Sequence, residues 1–96
     1  FHPGSFKLHS AYPNPFNGEV NIPYSTEANF NGRLIIYDLR GSEVYTTSIS
    51  NENAGVYEVR WNGRDNNGIN LGSGVYIVQI TSPEHGSFSQ KLSILK

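Results

Sequence analysis

The chain has 96 residues, 36% hydrophobic and 12% aromatic, with only 16% charged and a formal net charge of −1. That length suits one domain, and the composition excludes disorder, which needs low hydrophobicity with high net charge. Seven basic residues against eight acidic ones argue against nucleic-acid binding through a basic face, and no apolar run approaches the roughly 18–20 residues of a membrane helix.

Without Cys there is no disulfide framework and no thiolate metal site. The absence of Met leads us to expect a piece of a longer protein, with residues 1–5 as a tether and residues 6–96 as one domain. Val, Ile and Thr are abundant while Ala and Leu are sparse, which suits pleated, half-buried surfaces and not helices. We expect no helix.

Seven runs carry strand signals. The first, residues 6–12, is halted by Pro13-Asn14-Pro15. The second, residues 19–25, puts Val20, Ile22 and Tyr24 on one face and Glu19, Asn21 and Pro23 on the other. Pro23 lacks a ladder donor and points to an edge strand or a bulge. In the third run, residues 33–38, Leu34 and Ile36 face the core. A short hairpin carrying Gly41, a residue able to take positive φ, leads to the fourth run, residues 43–50. The fifth, residues 56–61, turns Tyr57, Val59 and Trp61 inward and Glu58 and Arg60 outward. The sixth, residues 75–81, is apolar on both faces except for Gln79 and belongs in the middle of a sheet. The seventh, residues 88–95, turns Leu92 and Ile94 inward and Lys91 and Ser93 outward. Seven short strands with turns every 8–12 positions predict an all-β, seven-stranded immunoglobulin/fibronectin-III-like β-sandwich with no helices.

Chemistry is harder to find. His2, His9 and His85 lie far apart, no nucleophile elbow is present, and Asp38 and Asp65 are the only Asp residues. We read the histidines as solvated surface groups and the chain as no enzyme. The glycines 68, 72 and 74 enter a strand, not the helix that a phosphate loop requires. Residues 62–70 carry oxygen side chains at alternate positions, yet Asp65 is their one carboxylate, too few for a hard cation. We therefore expect no metal and no cofactor, with Asx-turns holding this loop. Trp61 is in phase with the core, which leaves Tyr37, Tyr45 and Tyr76 as candidate surface rings for a carbohydrate platform.

The assembled motifs resemble a known family. Tyr12-Pro13-Asn14-Pro15-Phe16-Asn17 matches the opening signature of the C-terminal (type A) sorting domains of the type IX secretion system. It also matches the Ig-like domain of flagellar hook-capping proteins. In order follow Ile22-x-Tyr24, then Ile36-Tyr37-Asp38-Leu39-x-Gly41-x-x-Val44 and Ala54-Gly55-x-Tyr57-x-Val59-x-Trp61-Asn62-Gly63. Asp65-x-x-Gly68, Ser73-Gly74-Val75-Tyr76 and Lys91-Leu92-x-Ile94-Leu95-Lys96 complete the set. Asn62 stands where the family usually has Asp, and Gly18 where Pro is frequent.

The resemblance implies a sorting signal at the C-terminus of a larger exported protein of the Bacteroidetes. The implied partners are the outer-membrane translocon, a sortase-like peptidase and an N-terminally fused cargo domain. The implied route runs through the periplasm to the cell surface or the medium. We expect a monomer without nucleic-acid partners or a transmembrane segment. Recognition is assigned to Lys91, Leu95 and Lys96, helped by the end and edges of the last strand, which can add a partner strand. The remaining motif residues, Pro13 to Phe16, Tyr37, Asp38, Gly41, Trp61, Gly63, Asp65, Gly68, Gly74 and Tyr76, are read as structural. The alternative is an Ig-like accessory module that binds carbohydrate or spaces catalytic domains.

One measurement follows from the loop at residues 62–70. Excess calcium should leave the thermal midpoint unmoved beyond nonspecific salt effects, because binding to the native state alone would raise it. A calcium-dependent rise in scanning calorimetry would make the loop a cation site.

Overall fold

Alternating apolar and polar residues force each segment to bury one face, and the chain does so in two layers. The structure, a computed structural model, describes residues 6–96. The expected tether, with His2, lies outside the described residues. The strands are β1 (Phe6–Leu8), β2 (Val20–Thr26), β3 (Phe30–Tyr37), β4 (Glu43–Asn51), β5 (Gly55–Trp61), β6 (Gly74–Ser82) and β7 (Gly86–Ile94), with no helix among the described residues. They form a three-stranded sheet of order β1-β2-β5 and a four-stranded sheet of order β4-β3-β6-β7, with every neighbouring pair antiparallel. The expected immunoglobulin/fibronectin-III-like sandwich is the observed fold. β6 is central, as its two apolar faces required.

One expectation needs correction, and one open alternative is decided. The first strand ends at Leu8, not at residue 12, because the chain bulges. Leu8 pairs with Tyr24 and Tyr12 with Asn21, so four steps on one side span three on the other. Of the two readings of Pro23, the bulge is the one observed and the edge is not, since β2 pairs on both sides. The Pro23 carbonyl accepts the His9 N–H at 3.0 Å. In an antiparallel ladder a residue's nitrogen and carbonyl point the same way, so the missing donor faces the bulged segment. The β5 ladder loses nothing.

The core lies between the sheets. Val20, Ile22 and Tyr24 from β2 meet Leu34 and Ile36 from β3, Val78 and Ile80 from β6, and Leu92 and Ile94 from β7, all buried. Tyr57 and Val59 face this core but are only half-buried, because β5 is an edge strand. Trp61 at the end of β5 is 2% exposed. Its ring packs against Phe16, Tyr45 and Tyr76 with centroids 5.8, 6.0 and 6.3 Å away. Its indole N–H donates to the Arg64 carbonyl at 2.9 Å, so the polar edge of a large apolar group is satisfied.

Native Trp61 should emit in the blue and resist aqueous quenchers. Trp61→Ala should cost about 3–5 kcal/mol, the usual range for emptying a buried aromatic site, as a drop in denaturant midpoint. A red-emitting, quenchable Trp61 would contradict this packing.

Candidate functional site

The exposed ends of a sandwich are its open edges, and here amide side chains close two of them. The Asn14 amide donates to the Lys91 carbonyl at 3.0 Å and accepts the Ser93 N–H at 2.9 Å, copying a strand on the outer side of β7. The backbone continues the ladder: Phe16 N–H donates to the Ser93 carbonyl and Leu95 N–H to the Phe16 carbonyl, each at 2.9 Å. Gln90 does the reverse from β7, accepting the Ala11 N–H and donating to the His9 carbonyl. On the β4 edge, Asn66 accepts the Thr46 N–H and donates to the Thr46 carbonyl. The expectation that β7 offers a free edge for a partner strand is therefore corrected. The segment that precedes β2 already occupies it.

The other motif residues hold turns. Asp38 Oδ1 accepts the N–H groups of Arg40 and Ser42 at 2.9 and 3.0 Å, while its carbonyl accepts from Gly41, whose φ is +88°. The Ser42 N–H holds the Asp38 carboxyl below its ordinary range, opposed by partial desolvation and aided by the Arg40 side chain. Asp65 ties its own loop the same way, accepting from Asn67 and Ile69 at 2.9 Å, and Gly68 N–H donates to the Asp65 carbonyl. Gly63, at φ +74°, tucks its backbone beside Phe16 and Ile94. Pro13 and Pro15 flank Asn14 on the exposed turn, Tyr37 donates to Gln79, and Gly74 opens β6.

The assigned recognition residues do not form one cluster. Lys91 stands on the outer face of the four-stranded sheet, paired with Ile77. Leu95 is 63% exposed, and Lys96 follows it at the pole, its N–H on Ser73 Oγ and its Nζ on the Leu71 carbonyl, both at 2.9 Å. Five residue steps, the first three within β7, set Lys96 about 16 Å from Lys91 along an extended chain. What the fold brings to Lys96 instead is Arg64. Both line an open concavity of about 430 Å³ with Phe16, Asn17, Gly18, Asn62, Gly63 and Asn70. Sequence analysis assigned no role to Arg64, because nothing local links it to Lys96 and the two meet only across the fold.

The three tyrosines proposed as surface rings do not make a platform. Tyr76 is buried with its hydroxyl on the Gly72 carbonyl, and Tyr45 leans on Trp61 from inside. Tyr37 lies half-buried on the opposite, outer face. The histidines are less solvated than expected. His9 is half-buried on Ser25, and the His85 ring lies 5.4 Å from that of Phe30.

Residues 13–86 match the family of the FlgD Ig-like domain. No curated protein is detectably similar to the chain. Among solved structures, PorZ of Porphyromonas gingivalis, an essential bacterial surface component of the type IX secretion system, is similar at 27% identity and a TM-score of 0.65. That likeness covers 93% of this chain and 11% of PorZ. Latent, dimeric PorU of the same organism shares the fold at 19% identity and a TM-score of 0.75, over 99% of this chain and 10% of PorU. FlgD of Xanthomonas campestris, whose hook capping is essential for flagellar assembly, does so at 20% identity and a TM-score of 0.64, over 95% of this chain and 66% of FlgD. The chain thus spans about a tenth of the first two proteins.

Asn14→Ala removes both hydrogen bonds on the β7 edge and should cost about 1–3 kcal/mol, measured by denaturant unfolding. Asn14→Asp keeps the acceptor and should recover part of that loss. The depressed Asp38 carboxyl contributes stability that is present above its ordinary value near 3.8 and lost as pH falls through the lower folded value. Asp38→Asn should therefore flatten the acid limb of the stability curve below about pH 4.

Proposed function

The chain belongs to the FlgD Ig-like domain family, and from that premise we propose that it is a C-terminal sorting and secretion module of a larger exported protein, read by a type IX outer-membrane translocon. The carrying observation is the likeness to PorZ, at 27% identity over 93% of this chain. The export system to which PorZ belongs is the one whose sorting domains these motifs resemble. In this reading the cargo is fused N-terminally and crosses the periplasm to the surface or the medium. A sortase-like peptidase then acts on the junction. The module itself performs no reaction. Among the described residues, no helix is long and apolar enough to cross a membrane.

The fold suits such a role physically. A signal read on varied cargo must fold on its own and present a constant surface. Asn14 and Phe16 cover the β7 edge at residues 91–95 and Asn66 covers part of the β4 edge, which leaves the poles and outer faces as constant surface at this end. We assign reading to the pole bearing Leu95 and Lys96, with Lys91 as a second contact on the outer face. No tyrosine platform favours carbohydrate binding.

The test is a passenger protein fused ahead of this chain in a type IX-competent host. The passenger should reach the surface or medium with this domain and stay in the periplasm with an unrelated sandwich in its place. Lys91→Ala combined with Lys96→Ala, at exposed positions where substitutions cost within about 0.5 kcal/mol, should fold normally and strand the passenger. Export driven equally well by the unrelated sandwich would overturn the sorting function.

A further inference from the structure

The concavity at the pole has a charge pattern that the turns alone do not require. Arg64 Nη1 donates to the Gly68 carbonyl at 3.0 Å, and Lys96 Nζ to the Leu71 carbonyl at 2.9 Å. Two cations are thereby tethered to carbonyls of one loop, using one donor of the five on a guanidinium and one of the three on an ammonium. Elsewhere Arg40 has Asp38 at 3.2 Å, and Arg60 has Glu58 at 4.0 Å. At the pole no carboxylate lines the concavity. Asp65, next in sequence to Arg64, spends Oδ1 on the N–H groups of Asn67 and Ile69. Asn62, where a counter-charge would fit, is a neutral amide whose Oδ1 accepts the Arg64 N–H at 3.3 Å. Two cationic side chains thus line one concavity that has no acidic side chain in its lining.

We infer that this pole binds a carboxylate side chain of an acidic peptide segment on a partner protein, gripped by Arg64 and Lys96 and bordered by the amides of Asn17, Asn62 and Asn70. The chemistry selects this occupant. A planar guanidinium matches the two oxygens of a carboxylate in a fork, and amide side chains pair with peptide groups. An anionic membrane is held by clusters of about four to eight basic residues, and a nucleic acid by many phosphate contacts. Two cations in a concavity suit neither. The export reading supplies this partner's role in sorting, while the binding itself stands independently of it.

The test is a titration of the isotopically labelled 96-residue chain with a capped tetra-glutamate peptide, followed by backbone amide shifts at low salt. Saturable shifts should centre on Gly63, Arg64 and Lys96, and a tetra-glutamine peptide should bind at least tenfold more weakly. Arg64→Ala with Lys96→Ala should abolish the saturable response. Asn62→Asp keeps the acceptor for the Arg64 N–H but places a carboxylate beside the cations, and should weaken the glutamate peptide at least tenfold while the spectrum stays folded. Shifts spread over Lys7, Arg33 and Lys91 would overturn the site, as would an undiminished affinity in Asn62→Asp. Displacement of the peptide by an equal concentration of inorganic phosphate would overturn peptide docking. A failed titration beside normal domain-dependent export would remove the pole site and leave the sorting function standing.

Discussion

The paired hydrogen bonds of Asn14 to the outer side of β7 organise the pole at which the chain's last residues lie. They hold residues 14–16 as a surrogate strand, and that strand carries Phe16 into the core, where it is 2% exposed beside Trp61. Trp61 in turn anchors the Arg64 carbonyl through its indole N–H, and Gly63 folds tightly against Phe16. The pole that gathers Arg64 and Lys96 therefore rests on a contact made by one exposed amide. Its strength comes from bidentate geometry, with donor and acceptor used on a single neighbouring strand.

Amide side chains recur on the two edge strands of the four-stranded sheet. Asn14, Asn66 and Gln90 each satisfy a donor and an acceptor of the main chain. Such plugs limit unwanted pairing between sheet edges. They also leave little bare backbone on these stretches for strand addition. The outer face of the four-stranded sheet is not uniformly polar. Ile35 is 6% exposed there, opposite Gln79 and Thr46 and outside the main core.

The likeness to PorZ and the match to the FlgD Ig-like family concern this one module. The fold is shared with PorU and with FlgD of Xanthomonas campestris, proteins whose remaining parts differ. A sandwich of this kind is a carrier, and its function lies in the groups that it displays. That is why the charge pattern of the pole, not the strand order, distinguishes what this chain can bind.

Period-two alternation in β2 and β5 and the two-sided apolarity of β6 were enough to read the layers, the central strand and the buried Trp61. Those features are local, since a side chain's face follows from its position along its own strand. Turn chemistry was local as well, as Asp38 with Gly41 and Asp65 with Gly68 show. Pro23 left an edge and a bulge open, and neither the choice between them nor the place of the bulge after Leu8 was legible, because each depends on what a neighbouring strand offers. The recognition residues were divided for the same reason. Lys91 and Lys96 are close in sequence, but an extended chain holds them about 16 Å apart, while Arg64 reaches Lys96 across the fold. The sequence by itself determined the all-β sandwich and the facing of its strands. Only the tertiary structure decided which edge was closed and which charges met, because both require residues distant in the chain to share one place.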